Sequence, residues 1–186
     1  MKTSTLPPLT IADLESTPDD GNRYELIDGE MFVSSAPSYF HQAVLMRIVK
    51  AFILYLDRSP LGEIIPGVGV IFDDNNGVIP DLVFVTHQRR RKILGGGRLT
   101  AAPEIAIEIL SPGASNVRRD RHIKRNLYSE RGVSEYWIVD PEDRSVEIYR
   151  RSEEALKFSV TLRGADILTS DIPPGFSAAT ETFFAE

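Results

Sequence analysis

Gly77-Val78-Ile79-Pro80-Asp81-Leu82-Val83-Phe84-Val85 and Pro103-Glu104-Ile105-Ala106-Ile107-Glu108-Ile109-Leu110 are the two runs on which the fold turns. Both are rich in aliphatic and β-branched residues and read as core strands. Each carries an acid inside its apolar stretch, Asp81 in the first and Glu108 in the second. Carboxylates are rarely buried unless they are paired or bound to a metal. Two of them on neighbouring core strands can converge on one divalent cation. Shortly afterwards Asp120-Arg121-His122-Ile123-Lys124 opens a helix that can bring an ammonium to the same place. Asp, Glu and Lys around a hard cation are the groups used in metal-dependent phosphodiester hydrolysis.

Outward from these runs, Tyr24 to Val33 reads as a hairpin, with Asp28-Gly29 supplying the two positive-φ positions of its turn. Glu25 lies on the strand face opposite Tyr24 and Leu26. Thr10 caps a short helix. Val44, Leu45, Ile48, Val49, Phe52, Ile53 and Leu56 recur at helical spacing, which predicts a long helix from Tyr39 to Leu56. Short strands follow near Glu63–Ile65 and Val68–Phe72, and Asp73 to Gly77 reads as a turn. Between the acid-bearing strands lies a basic, mobile segment with Arg89, Arg90, Arg91, Lys92 and Arg98 around three glycines. A helix capped by Ser115 or Asn116 runs to about Arg131 and closes on Gly132. Ser134–Asp140 and Val146–Tyr149 form a second hairpin. Two weaker strands, near Phe158–Leu162 and Asp166–Leu168, precede a Pro-Gly tail. The fold class is α/β (α+β): a mixed β-sheet flanked by helices, with N-terminal and C-terminal β-hairpins.

The chain has 186 residues, 42% hydrophobic and 26% charged, which predicts one soluble domain over 1–186. No cysteine is present, so disulfides and thiolate metal sites are excluded. The first residues lack the apolar run of a leader, and no apolar stretch approaches a membrane span; the expected location is cytoplasmic. The net charge of −6 counts against a strong, sequence-independent nucleic-acid binder, although a local basic groove would suffice for a nuclease.

Each residue also has a plainer reading. Asp81 beside Pro80 reads equally as a strand-edge acid facing water. Glu104 and Glu108 read as the polar face of a half-exposed strand. Lys124, four residues after Asp120, reads as half of a surface ion pair. His41 reads as a cap or surface group, Glu25 and Glu30 as solvated hairpin acids, and the basic segment as a solvated charge run. The three glycines lack the Lys-Ser/Thr of a phosphate loop, which excludes that reading.

Five elements occur in order. They are Tyr24-Glu25-Leu26-Ile27-Asp28-Gly29-Glu30; His41; Pro80-Asp81-Leu82-Val83-Phe84-Val85; Glu108-Ile109-Leu110-Ser111-Pro112; and Asp120 through Lys124, Tyr128 and Gly132 to Trp137 and Pro141. Over about residues 10–150 this pattern resembles the Uma2 family of restriction-endonuclease-like proteins. The resemblance implies the PD-(D/E)xK nuclease fold, with Asp81 and Glu108 holding Mg²⁺, for which Mn²⁺ can substitute. The residue two after Glu108 is Leu110 where the superfamily pattern has Lys; the resemblance supplies that lysine as Lys124. Glu25 and Glu30 become additional acids, and His41 a phosphate contact or proton carrier. The basic segment, with Arg118, Arg119 and Arg121, becomes the grip on the phosphate backbone.

Three functions compete: a Mg²⁺-dependent endonuclease acting on DNA, a binding or assembly module that kept the fold without the chemistry, and a phosphoesterase for RNA or small nucleotides. Trp137 and the hairpin strands offer a surface for a homodimer.

Overall fold

The computed structural model describes residues 7–185; residues 1–6, most of the stretch examined for a leader, lie outside it. Helix α1 (Ile11–Glu15) leads into the hairpin β1 (Arg23–Ile27) and β2 (Glu30–Ser34). Helix α2 (Tyr39–Leu56), then β3 (Gly62–Pro66), β4 (Val70–Asp73), β5 (Asn76–Val78) and β6 (Leu82–Thr86) follow. After helix α3 (His87–Ile93) come β7 (Leu94–Gly95), β8 (Arg98–Leu99) and β9 (Ile105–Ile109). Helix α4 (Ala114–Arg118), a π-helical segment (Arg119–Lys124) and α5 (Arg125–Arg131) run on without a break. Strands β10 (Glu135–Asp140), β11 (Ser145–Ser152) and β12 (Ala155–Arg163) form a meander, and β13 (Ile167–Ser170) pairs with β14 (Phe176–Ala179).

Two six-stranded sheets result. The central one has the order β12-β11-β10-β9-β6-β3, and the other has the order β2-β1-β5-β4-β8-β7. In the central sheet β9 and β10 are parallel and the remaining pairs antiparallel. The α4-to-α5 crossover supplies the connection that a parallel pair requires. One face of this sheet, with Phe84, Ile107 and Trp137, packs on the inner face of α2. The other, with Val83, Ala106, Tyr136 and Ile138, packs on Leu127 and Tyr128 of α5 and on the second sheet.

The hairpin turn forms as the sequence predicts, with Asp28 at φ 51° and Gly29 at φ 73°. Gly132 closes α5 in the left-handed region at φ 89°. Several expectations are corrected. The run from Gly77 to Val85 is two strands in two sheets, because the chain crosses between sheets at Ile79-Pro80-Asp81. Proline cannot donate to a ladder and suits that crossing. Strand β9 is buried along its whole length because it is an interior strand covered on both faces, so Glu108 does not lie on a solvated face. The segment read as mobile is helix α3 and a hairpin. The Pro-Gly tail forms β14 and sends Phe176, Phe183 and Phe184 into the core. Trp137 is fully buried against Phe52 and Phe176 and offers no dimer surface.

Helix α2 is long and apolar enough, by length and composition, to cross a membrane. Here it is the covering helix of the central sheet, with His41, Val44, Leu45, Ile48, Val49 and Phe52 turned into the fold.

Candidate active site

The antiparallel pairing of β6 with β9 sets Leu82 opposite Ile107. Continuing that register by one residue brings Asp81 opposite Glu108, although their elements are far apart in sequence. The site opens at this end of the two strands, between the start of α2 and the α4-to-α5 rod. It is a cavity of about 370 Å³ whose walls include Arg23, His41, Asp81, Glu108, Arg119 and Lys124.

Asp81 is 4% exposed, so it is not a water-facing edge acid. Its Oδ1 accepts from Arg23 Nη1 at 2.9 Å. Its Oδ2 accepts from the Ile109 N–H at 2.8 Å and lies 3.1 Å from His41 Nε2. Burial drives this carboxyl upward. The His41 hydrogen bond and charge, with Arg23 and the Ile109 N–H, overcome burial and hold it at about 2. An ionised carboxylate can only accept, so His41 Nε2 carries the hydrogen. His41 Nδ1 is buried with no partner among the described residues.

Lys124 is 1% exposed and ties two acids together. Its Nζ lies 2.7 Å from Glu25 Oε1 and 2.9 Å from Glu108 Oε1. Glu25 Oε1 also accepts from the Ile79 N–H at 2.8 Å, which fixes the sheet crossing next to Asp81. Glu108 Oε1 also accepts from the Tyr128 hydroxyl at 2.7 Å. Burial raises the Glu108 carboxyl, and Lys124 pulls it down. The charges of Asp81, Asp120 and Glu25 push it up again, to about 8. Burial would lower the Lys124 ammonium, but the charges of Glu108, Glu25 and Asp120 hold it above the ordinary lysine value. Asp120 is buried and accepts from Arg119 Nε at 3.0 Å. The π-helical segment turns both Asp120 and Lys124 inward, so they are not a surface pair; such segments are rare and concentrate at functional sites.

Asp81, Glu108, Lys124, Glu25 and His41 are thus brought together. Glu30 is not: it is exposed at the tip of the hairpin. The basic segment lies elsewhere. Arg89 donates to the Ala102 carbonyl, Arg90 pairs with Glu63, Arg98 pairs with Glu15, and Arg91 and Lys92 are exposed. None of these five lines the acid cavity. Arg121 is held by Asp140 and Glu147. Besides Lys124, the cations at the acids are Arg23 and Arg119. Arg23 is missed by the sequence reading, although it lies two residues before Glu25 and therefore on the same strand face. Tyr128, four residues after Lys124, carries the corresponding helical signal.

The donors Asp81 and Glu108 are hard oxygens, as Mg²⁺ or Mn²⁺ requires. Four acids, Asp81, Glu108, Glu25 and Asp120, gather here with Arg23, Arg119 and Lys124. Donor type therefore fits a divalent cation. Among the described residues no three acid or imidazole groups form a ready ligand shell; Arg23 pairs with Asp81 Oδ1 and Lys124 with Glu108 Oε1.

A mixed sheet flanked by helices, with acids on adjacent strands and a lysine from the next helix, is the arrangement that the resemblance to restriction-endonuclease-like proteins implies. The model of the Uma2 family, described as "Putative restriction endonuclease", matches residues 11–181, and the chain belongs to that family. A solved structure from Anabaena variabilis ATCC 29413, titled a "putative nuclease belonging to DUF820", superposes with a TM-score of 0.76. The two are 17% identical, over 95% of this chain and 98% of that one. No curated protein matches the sequence.

Proposed function

We propose that this protein is a divalent-metal-dependent nuclease that hydrolyses phosphodiester bonds, with DNA as substrate and Mg²⁺ as the working ion. The observation that carries this reading is the convergence of Asp81, Glu108 and Lys124 on one cavity, from two strands and a helix. A bound divalent cation would polarise a phosphoryl oxygen and acidify a water. Asp81 and Glu108 would hold it. His41 and the Ile109 N–H keep the Asp81 carboxylate ionised and oriented, which is the role of groups behind metal ligands. Lys124 would present its ammonium to the charge that develops at phosphorus, and Arg23 and Arg119 would neutralise the bound phosphate.

The test is cleavage of supercoiled plasmid with and without Mg²⁺ or Mn²⁺ by wild type, Asp81→Asn and Lys124→Ala. Nicking should require metal and fall by about a hundredfold or more in both variants. Equal cleavage by all three proteins would overturn the assignment. No cleavage and no metal binding by the wild type would replace it with the binding-module reading.

A further inference from the structure

We infer that a second cavity, beside the acid cluster, receives an unpaired nucleobase, so that the substrate of this site is single-stranded or locally unpaired nucleic acid. The inference rests on the nuclease reading and names the form of its substrate.

Tyr39 and Phe40 open helix α2 and are 81% and 74% exposed. Their rings meet edge to face, with centroids 5.7 Å apart and planes at 81°. They do not serve the core. They stand at a cavity of about 540 Å³ whose walls also include Arg47, Leu110, Arg144 and Phe184. This cavity adjoins the acid cavity: Ser38, His41 and Pro112 line both. The shared wall holds the buried His41 Nδ1, a polar atom with no partner among the described residues.

Each part suits a nucleotide next to a phosphate held at Asp81 and Glu108. Exposed aromatic rings stack bases irrespective of sequence. Leu110 and Phe184 give the base an apolar wall. Arg47 and Arg144 supply positive charge for its phosphate; among the described residues Glu142 is the one acid in the wall. Intact duplex keeps its base faces stacked inside and offers such a cavity nothing, whereas an unpaired strand presents them.

The experiment measures metal-free binding by fluorescence anisotropy. Labelled oligodeoxythymidylate is compared with an abasic oligomer of equal length and charge and with a duplex. The wild type should bind the thymidylate most tightly. Tyr39→Ala/Phe40→Ala should lose about fivefold to a hundredfold on the thymidylate and leave the abasic oligomer unchanged. Tyr39→Trp/Phe40→Trp should keep the preference, and exposed positions leave the melting temperature a valid check of folding. Equal losses on both oligomers, no loss on either, or a wild-type preference for duplex would each overturn the inference. Binding is read without cleavage, so this outcome is independent of the Asp81→Asn plasmid test.

Discussion

Lys124 Nζ lies 2.9 Å from Glu108 Oε1, across 16 positions of sequence. The residue two after Glu108, where the superfamily pattern has its lysine, is the buried Leu110. The ammonium therefore enters from the helix rod that crosses between β9 and β10. Lys124 also faces Glu25, so one cation holds together a strand of each sheet.

Removing that cation should be costly. Lys124→Ala leaves Glu25 and Glu108 buried without it, and unpairing a buried ion costs about 3–5 kcal/mol. Urea unfolding should show this loss. Lys124→Ala combined with Glu25→Gln should recover part of it, since the second change removes the stranded charge. Strict additivity of the two changes would refute the coupling.

Glu108 should make the protein less stable as pH rises. Its folded value of about 8 lies above the ordinary 4.5, so between those values the native state holds more protons than the unfolded chain. Stability contributed by the protonated form is complete below about 4.5 and is lost as pH rises through about 8. Glu108→Gln, which cannot ionise, should therefore melt above the wild type at pH 8 and beyond, by on the order of several degrees. The gap should close toward pH 5. A gap independent of pH would show that Glu108 does not titrate in this range.

Metal should stabilise the fold through the two acids. At a hundred times its dissociation constant, Mg²⁺ or Mn²⁺ adds about 2.7 kcal/mol to a protein that binds it only when folded. Thermal melts should shift upward for the wild type and stay flat for Asp81→Asn. An equal shift in both would place the metal elsewhere.

The basic segment should matter little to cleavage. Arg91→Ala/Lys92→Ala changes exposed residues outside the acid cavity and should leave the rate within about twofold, as exposed charges usually do. Arg119→Ala removes a guanidinium from that cavity and should lower the rate by about tenfold or more. The reverse ranking would move the phosphate grip to α3.

Local pattern was enough for several features. The Asp28-Gly29 turn, helix α2, the Gly132 stop and the β10–β11 hairpin each follow from spacing or from one residue's backbone preference. Asp81 and Glu108 stood out because an acid in an aliphatic strand conflicts with its surroundings. Those signals travel within a few residues of chain, and so they survive in the sequence. The sequence could not decide which strands are neighbours. Asp81 faces Glu108 only through the antiparallel register of β6 on β9, two strands separated by α3 and a hairpin. The break of the Gly77–Val85 run into two sheets, the burial of both faces of β9 and the dismissal of Glu30 and the basic segment from the site all depend on long-range packing. Arg23 reaches Asp81 across 58 positions. Burial and charge pairing are properties of what lies opposite a residue. The chain fixed the groups, and the tertiary structure alone brought them to one place.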